Sequence, residues 1–254
     1  MNGHNNNLNN NVFENNIRGL DLFSSSENEV YENIFEENSY VGIEMSGYQT
    51  CGRNNIHDNT IKTNGMGIYV QGGTAKNRIE SNNIYDNSYD GIDILGSKSN
   101  IIINNNIYSN GYIYGGTHDG INCTGGWNVI SNNQIYKNAS TGIELQYDGS
   151  NKVSGNTIYS NEAGIRLINC DQNLIDDNDI YNNGDRNGIV ITCSDYNHIT
   201  NNRLKENWSA GIAVYNGMEN VIRNNDIDKT GRSATKYTPG HLGGAILLSG
   251  GGEI

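Results

Sequence analysis

Proline occurs once in these 254 residues, phenylalanine three times, tryptophan twice and cysteine four times, and charged residues make up only 17%. With one proline, changes of chain direction fall to other residues, and 47 asparagines and 32 glycines are at hand. No stretch keeps a helical apolar period, which excludes a helical bundle. No apolar run approaches a membrane span, and Met1 to Asn6 lack the basic and apolar regions of a signal peptide. Sixteen basic against 28 acidic residues give a net charge of −12, so neither nucleic acid nor membrane is expected as a partner held by basic contacts. The cysteines follow no metal-ligand spacing. Cys123 falls on an inward strand position, Cys170 and Cys193 lie in comparable turns as stacked thiols or a disulfide, and Cys51 has no evident partner.

What the chain does have is a repeat. The phrase Asn-x-(Ile/Leu/Val)-x-x-Asn-x-(Ile/Leu/Phe) begins at Asn6, Asn28, Asn54, Asn77, Asn100, Asn128, Asn151, Asn173, Asn197 and Asn220, at intervals of 22 to 28 residues. Each copy continues into Gly-Ile-x-(Leu/Val/Ile), as in Gly91-Ile92, Gly120-Ile121, Gly142-Ile143 and Gly164-Ile165. A unit of this length cannot bury its apolar side chains alone, so the copies must stack as a solenoid. The three short apolar/polar alternations in each unit are strand signals. The expected fold is all-β, one parallel β-helix of about ten coils over 1–254, with the repeat spanning about 6–248. The middle asparagines, such as Asn82, Asn105 and Asn133, are expected to adopt the left-handed backbone conformation and to bond from coil to coil as a ladder. Neither end carries a distinct cap, so self-association through the ends, or a longer native chain, is expected.

This repeat resembles the right-handed parallel β-helix of pectate-lyase-like and nitrous-oxide-accessory (NosD-like) proteins. The resemblance implies the fold over nearly the whole chain and a carbohydrate-active role outside the cell or at its surface.

In a strand reading Gly-Ile-x-Leu, x points outward, and stacking turns the x positions into a column about 4.8 Å apart. That column reads Asp21, Glu44, Tyr69, Asp93, Asn122, Glu144, Arg166, Val190, Ala213. The residues before each glycine form a neighbouring column that includes Arg18, Asp90, Asp119 and Asn187. Asp90, Asp93, Asp119 and Glu144 therefore gather with His118 in the middle coils, beside the longest insertion, which carries Tyr112 and Tyr114. Close carboxylates either share a proton, giving an acid/base pair, or hold a cation such as Ca²⁺. Tyr69, Tyr89, Tyr112, Tyr114, Asn122 and Glu44 are the expected substrate contacts, since sugars stack on tyrosine and bond to polar side chains. The bland alternative is a solvated polar face with an ordinary loop. A second insertion, residues 231–241, reads as a flap, and the stripe Tyr85, Tyr108, Tyr136, Tyr159, Tyr181 as a packing surface on another sheet.

Asp90-Gly91-Ile92-Asp93 also resembles the Asp-Asp-Gly-x-Asp calcium motif of one group of pectate lyases, with Tyr89 where the first acid stands. That resemblance implies Ca²⁺ on Asp90 and Asp93, with a base at Lys98 or Arg166; Asp119, stacked beside Asp90, is the third expected ligand. The run also resembles the Tyr-Gly-Ile-Asp-Pro-His segment of alginate epimerases, with Ile94-Leu95 in place of Pro-His, and Gly240-His241-Leu242-Gly243 echoes the Gly-His-Gly of polygalacturonases. The chemistry expected is β-elimination or hydrolysis of a polysaccharide. In the hydrolytic form Asp90/Asp119 or Asp93/Glu144 supply acid and base, and His118 orients the substrate. The rival expectation is a non-catalytic binding or structural module.

Overall fold

A computed structural model describes residues 3–47, 52–112, 118–184, 186–230 and 245–250. Tyr114, Cys51 and the 231–241 insertion lie outside the described residues. Three parallel sheets of ten strands each run the length of the molecule, and every coil contributes one strand to each. In one central coil these strands are Val129–Ser131, Gln134–Tyr136 and Thr141–Gln146. The fold is thus the expected right-handed β-helix, and no helix occurs among the described residues.

The core is a stack of isoleucines because only alternate strand residues face inward. Ile130, Ile135, Ile143 and Leu145 are all fully buried in that one coil, and their counterparts repeat along the axis. Each such side chain contributes roughly 2 kcal/mol on leaving water. Cys123 occupies one of these core positions, as its place in the repeat predicts. Cys170 is buried and Cys193 exposed, and both are free thiols.

Asparagine does more than a single ladder. Three ladders run along the corners, for example Asn105–Asn133–Asn156 at one and Asn110–Asn138–Asn161 at another, each side-chain oxygen accepting from the preceding coil. The backbone role differs from the expected one. The left-handed residue is the one before each ladder asparagine: Ser81 (φ 54°), Asn104 (φ 58°) and Asn132 (φ 55°) precede Asn82, Asn105 and Asn133. The turn needs one residue with positive φ, and placing it first leaves the following asparagine's amide directed inward, along the stack.

Glycine before the inward isoleucine answers to close approach. A Cβ on Gly142 would sit 2.5 Å from Ile158 Cγ2, 2.8 Å from Gly164 O and 3.1 Å from Asn161 Nδ2. The corner between the second and third sheets is therefore closed only when this position has no side chain. That closure fixes the register of the third sheet, whose outer face carries the candidate residues.

Candidate functional site

The third sheet aligns the outward column as the repeat predicts. Its register pairs Asp21 with Glu44, Glu44 with Tyr69, Tyr69 with Asp93, Asp93 with Asn122, Asn122 with Glu144, Glu144 with Arg166 and Arg166 with Val190. Each step is one rung of about 4.8 Å.

Asp93 stands at the centre of this face. Its carboxyl is half-buried, and desolvation together with the nearby Asp90 carboxylate pushes its pKa up to about 7, against a lowering by His118. Asn122 Nδ2 donates to Asp93 Oδ1 at 3.3 Å, while Asn122 Oδ1 is buried without a hydrogen-bond partner. An amide that turns over can therefore serve either form of Asp93, donating to the carboxylate or accepting from the acid. On the other side Tyr69 is only 8% exposed, and burial raises its hydroxyl pKa to about 12. Tyr69 thus walls the site, with too little of its ring exposed to stack on a sugar as expected from the sequence.

His118 lies beside this centre. Its Nδ1 is 3.7 Å from Asp90 Oδ2, its ring meets Tyr89 edge-on with centroids 4.9 Å apart, and the Asp90 carboxylate raises its pKa. Tyr89 keeps 37% of its surface exposed, so a ring face remains for a ligand. Tyr112 is also exposed, with its hydroxyl donating to Lys137 O at 2.7 Å.

Asp90 and Asp119 do something the sequence did not suggest. Asp119 N–H donates to Asp90 Oδ1 at 2.6 Å, and Thr141 N–H donates to Asp119 Oδ1 at 2.7 Å. Asn187 repeats the arrangement, with its Oδ1 accepting from Ala210 N–H at 2.7 Å. The strands of these three coils begin late, at Ile92, Ile121 and Ile189, so a side-chain oxygen takes the place of a missing main-chain acceptor. Asp119 is 3% exposed, and burial with the neighbouring Glu144 and Asp90 charges holds its pKa well above the ordinary carboxylate range. Asp90 and Asp119, expected as an acid–base pair, thus each spend one carboxyl oxygen in a structural clasp.

The same contacts bear on calcium. Among the described residues no group of three or more His, Cys, Asp or Glu side chains converges as a metal site. Ca²⁺ takes six to eight oxygen ligands, and two of the three expected acids already accept backbone N–H groups. Asp90 and Asp119 therefore have one oxygen each already committed, which leaves this cluster short of the oxygens such an ion takes.

The remaining candidates fall into two groups. Glu144 is 7% exposed and is held by Gln146 Nε2 and by Arg166 Nη1 at 3.3 Å; burial raises its pKa while Arg166 opposes this. Glu44, 3% exposed, is held in the same manner by Arg18 Nε and by Gln71 Nε2 at 2.6 Å. Both acids are thus bound within the face, and Glu44 offers little to a substrate. Lys98 is directed elsewhere: its ammonium lies 3.4 Å from Asp148 Oδ2 and 4.9 Å from the Trp127 ring centroid, in the turn leaving the third sheet. Lys98 is therefore not brought to the acids as their base. Gln71, Gln146, Arg18 and Arg186 were not among the sequence candidates. Gln71 and Gln146, each two residues after a column residue on one strand face, and Arg18, in the pre-glycine column, carried a signal that could have found them; Arg186 did not.

The chain belongs to the right-handed β-helix family, whose description, right handed beta helix region, matches residues 1–83, 48–146 and 102–253. No curated protein sequence matches it. Among solved structures it is similar to an alginate lyase from Paenibacillus sp. str. FPU-7, with 15% identity, a TM-score of 0.69, and 94% of this chain and 88% of that one covered. It is also similar to a variant of the periplasmic alginate epimerase AlgG, with 19% identity, a TM-score of 0.71, and 80% and 50% covered. The Dettilon tailspike protein gives 15% identity, a TM-score of 0.66, and 90% and 55% covered. At these identities the likeness is one of fold.

Proposed function

We propose that this protein acts on a polysaccharide laid along the outer face of the third sheet, with Asp93 as the group that moves a proton. The observation that carries this reading is the Asp93 carboxyl, raised to about 7 at the centre of the outward column and bordered by Asn122, His118 and the exposed ring of Tyr89. A carboxyl poised near neutrality is suited to general acid–base work, because both of its forms are populated at working pH. The sheet repeats every rung of about 4.8 Å, a step close to one pyranose unit in an extended chain, so successive sugars meet successive rungs. Alginate enzymes of similar fold support a glycan as the substrate, and the periplasmic epimerase supports a location outside the cytoplasm.

Two reactions use Asp93 in opposite senses. In hydrolysis protonated Asp93 gives its proton to the glycosidic oxygen as water attacks the anomeric carbon. Glu144, two rungs away, is the second acid on that face. In elimination ionised Asp93 takes the C5 proton beside a uronate carboxylate, the C4–C5 double bond forms and the C4–O bond breaks, its oxygen leaving with the rest of the chain and taking up a proton. His118, charged against Asp90, stabilises the developing negative charge. The products separate the two: elimination leaves an unsaturated sugar that absorbs in the ultraviolet, and hydrolysis does not. Asp93→Asn is expected to lower turnover on the cleaved glycan by roughly 100-fold or more with the circular-dichroism spectrum unchanged. Turnover equal to wild type would remove Asp93 from the reaction.

The rival reading is a non-catalytic glycan-binding module. It is favoured by the structural use of Asp90 and Asp119, which leaves fewer acids free for chemistry. Glycan binding by wild type and Asp93→Asn alike, with no cleavage by either across a panel of uronate and neutral polysaccharides, would establish it.

A further inference from the structure

Beyond Glu144 the outward column shrinks: Arg166 is followed by Val190 and Ala213. Where earlier rungs carry acids, Tyr69 or Asn122, Val190 borders a cavity of about 480 Å³. Arg166, Arg186, Asn187, Thr192, Ser209 and Tyr215 line it. Among the described residues that line it there is no acid, on a chain whose net charge is −12. The carboxylates that pair with the two arginines, Glu144 at 3.3 Å and Glu162 at 2.7 Å, each engage one nitrogen of their partner. A guanidinium has five N–H donors, so both retain donors for a ligand. Asn187 contributes in the same sense, because its Oδ1 is already taken by Ala210 N–H and its amide N–H₂ remains. The cavity at the opposite end of the face differs in character: Asp21 and Glu44 line it with Arg18.

We infer that the cavity between Arg166 and Arg186 is an anion-binding subsite for an acidic substituent of the bound glycan, a carboxylate or a sulfate ester. This rests on the glycan reading of the third-sheet face. Arg166 lies three rungs from Asp93, about 14 Å along the axis, so the acidic group belongs to a sugar some three units from the reacting one. The subsite thereby selects charged chains and sets which end of the chain points toward Asp21. Arg166 and Arg186 act here as specificity-determining residues, apart from proton transfer.

Calorimetric titration with an oligouronate, a sulfated neutral-backbone oligosaccharide and an uncharged oligosaccharide tests this. Wild type is expected to bind at least one of the two anionic probes and to bind the uncharged one more weakly. Arg186→Gln is expected to lose roughly ten-fold in affinity for the anionic probe, as one charge-assisted contact is removed. Thr192→Glu, which keeps both arginines and adds a carboxylate to the cavity, is expected to do the same. Which anionic probe binds tells a carboxylate from a sulfate subsite. Unchanged affinity in both variants, or equal affinity for the uncharged probe, would overturn the inference. If Asp93→Asn cleaves like wild type while Arg186→Gln loses binding, the catalytic role of Asp93 falls and the subsite stands. Failure of wild type to bind any of the probes overturns the subsite.

Discussion

Asp90 Oδ1 accepts the backbone N–H of Asp119 at 2.6 Å, one coil further along the same column. A carboxylate here finishes a sheet whose strand has started late, and Asp119 repeats the arrangement onto Thr141 at 2.7 Å. These two acids are therefore most informative as tests of structure.

Asp119→Ala is expected to destabilise the fold by about 2 kcal/mol, because the Thr141 N–H is left buried without an acceptor. Asp119→Asn keeps an oxygen in place and should cost less than half as much. Urea unfolding of the two variants compares them. Equal losses would show that the charge, and not the acceptor, matters.

The sequence carried the placement of these residues but not their use. The alignment of Asp93, Asn122 and Glu144 was legible because a repeat of constant phase fixes which residue stacks on which. The use of Asp90 and Asp119 was not, since it depends on strands starting at Ile92 and Ile121 while neighbouring coils begin at Met66 and Thr141. Lys98 was misread for a related reason. A turn residue has no fixed phase, and its partners Asp148 and Trp127 come from other turns.

Asp93 makes stability depend on pH. Its folded pKa of about 7 lies above the ordinary value of 3.8, so the folded state holds a proton that the unfolded chain releases. This stabilisation is fully present below pH 3.8 and is lost as the pH rises through about 7. His118, raised by Asp90, contributes in the same sense at somewhat higher pH. The Tm of wild type minus that of Asp93→Asn should therefore fall steadily between about pH 4 and pH 7. A flat difference in thermal melts across that window would contradict the raised pKa.

The ladder at Asn133 joins two neighbouring coils. Asn133 Nδ2 donates to Ile102 O and Asn156 Oδ1, both at 3.0 Å, and its Oδ1 accepts from Asn105 N and Nδ2 at 2.9 and 3.0 Å. Asn133→Ala removes all four and is expected to cost about 3–4 kcal/mol in denaturant unfolding. Asn225→Ala, at a partly exposed end of the same ladder, should cost clearly less.

Thr63 adopts φ 53°, a left-handed conformation that a β-branched residue tolerates poorly. Thr63→Asn is expected to raise stability by up to about 1 kcal/mol, since asparagine enters this region at lower cost. A thermal melt checks it, and a fall in Tm would mean that the Thr63 side chain makes a compensating contact.

The longest coil of the early repeat, 28 residues from Asn100 to Asn128, meets its neighbour through the same amide contact as the 23-residue coil that follows. The Asn100 and Asn128 N–H groups reach the next ladder oxygen at 2.8 and 2.9 Å. The extra length of that coil thus does not lengthen the axis. The face behaves as a ruler whose graduations do not depend on how much chain lies between them. Deleting or duplicating one whole coil between Asp93 and Arg166 would slide one mark past the other by one graduation and leave local chemistry intact. Coil number, more than side-chain identity, then sets the distance between any two marks on this face.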